Sequence, residues 1–288
     1  MKVMVVTPVF GGSIPIAHHC AQALAELGCE TYLLDLTRFQ SSFRKARESG
    51  QDQAAQAIAF YESVAAEVQS EAERFAPDLV LALILAPLHQ GVLEWLRERR
   101  IQTAYWFVDN DKRFPFWRVQ CPWYDHYFTI QTEPFLSELR KAGARSCAYL
   151  PNACPRAAHE AVELTSDELA HFGSDVAFMG TPYPNRVAAF EKLADFDLGL
   201  WGKGWSTCES SVVSRVREGS RMITPDEEVK IYASSKIVLN LHTDLGAGID
   251  DARDFINPRT FIAAGVGTMQ VVDERSLLAR HFVPGEEV

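Results

Sequence analysis

The sequence predicts an α/β protein of two domains, each built on a largely parallel sheet with helical crossovers. Three observations carry this. Short apolar runs such as Val3–Val6, Leu79–Leu85 and Lys236–His242 alternate with helix-length segments, the rhythm of βαβ units. A fresh strand–glycine–loop–helix–strand unit, Ser174–Trp205, begins well past the midpoint, so another domain must precede it. The 288 residues are long for one α/β domain and comfortable for two.

In chain order, Lys2–Thr7 reads as a buried strand, Pro8–Ser13 as a glycine-bearing loop, and Ile14–Leu27 as a helix stopped by Gly28. Thr31–Asp35 is the next strand. The opening resembles a Rossmann start, but Gly11-Gly12 is not GxGxxG, which speaks against a dinucleotide site and a Rossmann oxidoreductase. A helix over Gln51–Phe75 breaks at Pro77. The strand Leu79–Leu85, a helix over Gln90–Arg100 and the strand Ile101–Val108 follow, the last ending in Asp109-Asn110-Asp111. Asp125–Ile130 and Ser146–Leu150 complete the strands, with a helix over Pro134–Ala142 between them. Ligands of such sheets bind outside the carboxyl ends of the strands, so candidate groups lie at Pro8–His19, Pro87–Gln90 and Asp109–Arg113.

The first domain is expected to span 1–155, followed by a polar, partly helical linker, 156–173, and a second domain, 174–288. In the latter, Asp175–Met179 and Leu198–Trp201 read as strands, with Val187, Phe190 and Leu193 on one helix face between them. A polar piece, Ser206–Thr224, precedes a helix opened by Pro225-Asp226-Glu227-Glu228 and the strand Lys236–His242. The Gly/Asp-rich loop Thr243–Ile256 has no periodicity. A short helix, Thr260–Gly265, and a strand, Gly267–Asp273, follow, and the second sheet reads as unfinished at Val288.

A net charge of −10 argues against a polyanion such as nucleic acid as the main partner, though a local basic groove suffices for a small phosphate. Six scattered cysteines without CxxC suggest reduced thiols. Pro8 and Gly11-Gly12 end the first apolar run too early for a signal peptide, and no stretch is long enough for a transmembrane segment. A cytoplasmic location is expected.

An ordered series of motifs from about Ala104 onward resembles the CgeB-like (spore-maturation protein) glycosyltransferases of the GT-B group. The matching pieces are Trp106–Asp109, Asp125–Ile130, Tyr149–Pro151, Asp175–Gly180 with Arg186, Gly202-Lys203-Gly204-Trp205, Ile231–His242, Asn257–Phe261 through Gly267, and Phe282–Val288. The resemblance implies two Rossmann-like domains facing a cleft, with a nucleotide sugar held mainly by the second. It also implies a further C-terminal piece, so the chain reads either as a fragment with a truncated second domain or as a natural short form. The family's Phe-Glu pair, whose carboxylate binds the donor ribose, appears here as Phe261-Ile262. An unpaired hydroxyl there costs about 1–3 kcal/mol.

Gly180, Arg186, Gly202, Lys203, Asn257, Arg259 and Thr260 are the donor-site candidates. Arg259, beside a helix N-terminus, either binds a diphosphate or pairs with Asp254 or Asp251 on the surface. Arg186 either faces phosphate or solvent. Gly202 and Gly204 either let a ligand approach the backbone or only make a turn, and Lys203 is either a phosphate contact or an ordinary surface lysine. Asp109, at the end of a central strand, is the candidate general base, or else a cap. Asp109-Asn110-Asp111 also spells a DxD, but the two-domain layout argues against a metal-dependent site. His18, with His19, follows the first glycine loop and is a second candidate for base or sugar contact, or a structural histidine, as is His89. No metal or other cofactor is expected. The expected function is metal-independent transfer of a sugar from a nucleotide donor to an unidentified acceptor (glycan, protein or small molecule). The alternative is a non-catalytic nucleotide- or carbohydrate-binding protein on the same fold.

Overall fold

The computed structural model describes residues 1–48, 53–156, 162–243 and 254–288. The chain divides into two compact units, Met1–Pro151 and Asn152–Val288. In both, every described strand pair is parallel.

The first unit runs β1 (Lys2–Val6), α1 (Ile14–Glu26), β2 (Glu30–Leu34), α2 (Gln40–Glu48), α3 (Gln53–Phe75), β3 (Leu79–Leu83), α4 (Gln90–Glu98), β4 (Gln102–Phe107), α5 (Trp117–Gln120), β5 (His126–Thr129), α6 (Phe135–Lys141) and β6 (Cys147–Tyr149). The strand order is β2-β1-β3-β4-β5-β6, so the chain reverses its direction of growth between β1 and β3. Val3 to Val6 are wholly buried, as a strand covered on both faces requires. One core gathers Val64 and Val68 of α3, Leu93 and Leu96 of α4, and the ring-rich end of the sheet at Tyr105, Phe107 and Tyr127. The sequence reading had no element at α2, which packs on α3.

The second unit runs α7 (Ser166–Phe172), β7 (Ser174–Met179), α8 (Pro184–Phe190), β8 (Leu198–Trp201), α9 (Pro225–Ala233), β9 (Ser235–Asn240), α10 (Pro258–Val266) and β10 (Met269–Val272). The order is β10-β9-β7-β8, and the reversal falls between β7 and β9. Residues 156–173, expected as a linker, carry α7, opened by a capping box at Thr165 and Glu168. Its Phe172 packs into the core of Ala177, Trp201, Ile231 and Val238. The polar piece Ser206–Thr224 carries short 3-10 turns. From 244 to 253 the predicted Gly/Asp-rich loop, Asp251 included, lies outside the described residues. Among the described residues no helix is long and apolar enough to cross a membrane.

Candidate functional site

Open parallel sheets bind ligands outside the carboxyl ends of their strands, where the order reverses. In the second unit that point lies between the end of β7, Met179-Gly180, and the end of β9, Asn240-Leu241-His242. Several of the donor-site candidates converge there.

Asn240 is fully buried and organises the group. Its Nδ2 donates to Thr260 Oγ1 at 2.7 Å, and its Oδ1 accepts from Asn257 Nδ2 at 2.8 Å and from Arg259 Nη1 at 3.0 Å. Asn257 caps α10, its Oδ1 accepting from the Thr260 N–H at 3.2 Å. Both polar ends of Asn257 are thus engaged, and Thr260 is fully buried. These two candidates shape the site from behind rather than lining it.

Arg259 is half-buried, its guanidinium 4.8 Å from the Phe178 ring centroid. Its Nε is buried without a hydrogen-bond partner among the described residues. A carboxylate also bears on this cation: burial pushes the Glu228 carboxyl up, while the Tyr232 hydroxyl and the Arg259 charge oppose the rise. Tyr232 donates to Glu228 Oε1 at 2.9 Å. The surface pairing with Asp254 is not found. Asp254 is buried and accepts instead from Arg275 Nη1 at 3.4 Å and Ser276 Oγ at 3.1 Å.

Gly180 leaves room for this arginine, since a Cβ there would sit 2.9 Å from Arg259 Nη2. Gly202 lies against Gly180 itself: its Cβ would fall 2.7 Å from the Gly180 carbonyl oxygen, and its φ is +113°. The same carbonyl accepts from Trp205 Nε1 at 2.8 Å. Gly202 therefore seats one strand end on another, while Gly204 takes a positive φ in the following turn and Lys203 is exposed.

Arg186 is neither exposed nor aimed at solvent. It is 4% exposed, and donates through Nε to Leu241 O at 3.0 Å, through Nη1 to Thr181 O at 3.1 Å and through Nη2 to Thr243 Oγ1 at 3.3 Å. Asn185 adds a bond to His242 O at 2.9 Å. The start of α8 thus ties the loop after β7 to the loop after β9. Behind them, buried His242 accepts from the Asn257 N–H at Nε2 (3.1 Å), which leaves Nδ1 to donate to Asp273 Oδ1 at 2.7 Å. Burial holds His242 below its ordinary pKa against the pull of Asp273. Burial raises the Asp273 carboxyl, but His242 and Arg275 outweigh it and hold the group at about 2. Ile262 belongs to the hydrophobic core with Ile231, Tyr232 and Val238, so no acid stands at that position.

In the first unit, Asp109 lies just beyond β4. Its Oδ1 accepts from the Asn110 N–H at 2.7 Å and its Oδ2 from Arg113 Nη1 at 3.3 Å. Burial raises its carboxyl above the ordinary range, partly countered by Arg113. Asp111 is buried and exchanges hydrogen bonds with the Gln131 amide, at 2.9 and 3.2 Å. The two carboxylates of the DxD are therefore engaged with different partners. Among the described residues no cluster of three or more His, Cys, Asp or Glu could hold a metal ion. His18 is exposed on α1 near Asp35, whose carboxyl is raised by burial but lowered overall by Thr37 and, further, by His18. His19 is held below its usual value by burial. His89 caps α4, its Nδ1 accepting from the Gly91 N–H at 3.1 Å.

The sequence reading missed Asn240, Tyr232 and Glu228 as members of the site. Asn240 lies inside the predicted strand Lys236–His242 and ends β9, and a buried amide near the carboxyl end of a strand is a usable signal.

Residues 186–288 match the model of a family described as glycosyl transferase-like. No curated protein sequence matches the chain significantly. Among solved structures, the chain is similar to sucrose-phosphate synthase from Thermosynechococcus elongatus, with a TM-score of 0.61 at 11% identity over 99% of this chain and 84% of that one. It is similar to UDP-GlcNAc 2-epimerase from Methanocaldococcus jannaschii, with a TM-score of 0.52 at 11% identity over 97% and 86%. A third is Phytolacca americana UGT2 complexed with UDP-2fluoro-glucose and pterostilbene, with a TM-score of 0.50 at 11% identity over 96% and 81%. At these identities the likeness establishes the two-domain, Rossmann-like α/β fold.

Proposed function

We propose that this chain is a GT-B glycosyltransferase of the CgeB-like kind that takes a nucleotide-sugar donor into the second unit, at the reversal between β7 and β9. The observation that carries the reading is Arg259: a half-buried guanidinium beside the N-terminus of α10, oriented by Asn240, with its Nε without a hydrogen-bond partner among the described residues. A leaving diphosphate gains charge as the glycosidic bond breaks, and a preoriented cation and helix N-terminus stabilise that charge without a metal ion. The matched family and the UDP-sugar named with one of the similar structures support a nucleotide sugar as ligand. Asp109, its carboxyl raised by burial, is the group we assign to the acceptor's hydroxyl proton, with His18 as second candidate.

Titration calorimetry with UDP, GDP, dTDP and CDP tests the donor site. One nucleotide should bind, and Arg259→Ala should weaken it ten- to a hundredfold, about 1.4–2.7 kcal/mol. Binding of none, or equal binding by the variant, overturns the reading. Ile262, in place of an acid, favours a second reading, a non-catalytic nucleotide-binding protein. Nucleotide binding without sugar transfer to any of a panel of acceptors would select it.

A further inference from the structure

A cavity of about 450 Å³ opens in the first unit between Phe10, in the loop after β1, and one face of α2. The helix lines it with Gln40, Phe43, Arg44, Arg47 and Glu48. These positions follow the spacing at which neighbouring helix side chains share one face. Gln40, Arg44, Arg47 and Glu48 are exposed there, so the helix holds two guanidiniums, an amide and a carboxylate around the half-buried Phe43 ring.

The aromatic part is ordered. Phe10 and Phe43 lie 4.9 Å apart with planes tilted 31°, and Phe43 meets Phe60 edge-on at 5.4 Å. The Arg47 guanidinium stands 5.9 Å from the Phe43 ring centroid. Arg44, Lys45 and Arg47 make the helix locally basic in a chain of net charge −10. The loop carrying Phe10 leaves the carboxyl end of β1, beside the reversal between β1 and β3, a position where open parallel sheets take ligands.

We propose that this cavity binds a phosphorylated sugar. Arg44 and Arg47 take the phosphate, the two phenylalanines take the apolar face of the sugar ring, and Gln40 and Glu48 take its hydroxyls. The volume is in the range of small-molecule sites. The site does not depend on the transferase reading.

Calorimetry with glucose 6-phosphate and fructose 6-phosphate tests it, with glucose and inorganic phosphate as comparison ligands. The protein is the full chain and its Arg44→Ala/Arg47→Ala double variant. Both arginines are exposed, so the variant should melt as the parent does. At least one sugar phosphate should bind tenfold or more tightly than glucose or phosphate, and the double variant should lose tenfold or more. Absence of binding, equal binding of glucose or phosphate, or binding unchanged in the variant overturns the proposal. Nucleoside diphosphates titrated into the same samples separate the two readings. Nucleotide binding without sugar-phosphate binding sinks only the cavity proposal. Sugar-phosphate binding that the double variant loses, without nucleotide binding, keeps the cavity and sinks the donor site.

Discussion

Gly202 shows how much of the site depends on what a residue lacks. A methyl group there would sit 2.7 Å from the Gly180 carbonyl oxygen, and the backbone stands at a φ of +113°. Gly202→Ala should therefore destabilise the protein by about 1–3 kcal/mol, read as a lower urea midpoint. Nucleotide binding should fall with it, because Gly180 seats Arg259. An unshifted midpoint would mean that the strand end yields easily. Tyr127 is the opposite case. Its ring is buried in the first unit against Tyr105, at 5.1 Å, but its hydroxyl has no hydrogen-bond partner among the described residues. Removing an unsatisfied buried hydroxyl relieves a desolvation cost, so Tyr127→Phe should leave the urea midpoint unchanged or raise it, by up to about 1 kcal/mol of stability. A clear loss would show that the hydroxyl is bonded.

At the scale of elements, the ends of β9 and β10 and the start of α10 are held by His242, Asp273, Arg275 and Asp254 as one network. Asp273 carries the pH dependence, with a carboxyl held at about 2 against an ordinary 3.8. A depressed carboxyl contributes stability that is fully present above its unfolded pKa and lost as pH falls through the folded one. The wild type should thus lose about 2 kcal/mol between roughly pH 4 and 2 from this group. Asp273→Asn should remove that part of the acid limb in urea titrations run across pH, and an unchanged limb would dissociate Asp273 from it. Element identity was largely legible in the sequence, because buried parallel strands are unbroken apolar runs. The helix α2 was not: QSSFRKARE offers Phe43 and Ala46 to the packing and little other apolar pattern, and its place is set by contact with α3. The site was half legible. Arg259 and Gly180 stand in local motifs, but the engagement of Thr260 and Asn257 with Asn240, and of Arg186 with Leu241 and Thr243, joins positions far apart in the chain.

For the whole molecule, the two units were visible from the second βαβ start, while the role of residues 156–173 was not. Polar composition reads as a connection, yet Phe172 packs α7 into the second core and Glu168 pairs with Lys230 at 2.6 Å. A ligand that binds only the folded protein raises its apparent stability by mass action. A nucleotide held at Arg259 at a hundredfold excess over its Kd should therefore add about 2.7 kcal/mol, and Arg259→Ala, binding ten- to a hundredfold more weakly, should cut that gain to about 0.4–1.4 kcal/mol at the same concentration, read as a smaller thermal shift.

The reversal between β7 and β9 also has a kinetic side. Parallel neighbours cannot be joined by a tight hairpin, and Ser174 meets Ser235 only after the chain between them, α8, β8 and α9 included, has been looped out. Closing a loop costs entropy before any contact rewards it. The proposed ligand site is therefore absent from every partly folded form in which these two strands have not yet met. Binding of a nucleotide there would report the pairing of β7 with β9 rather than assist the steps that precede it.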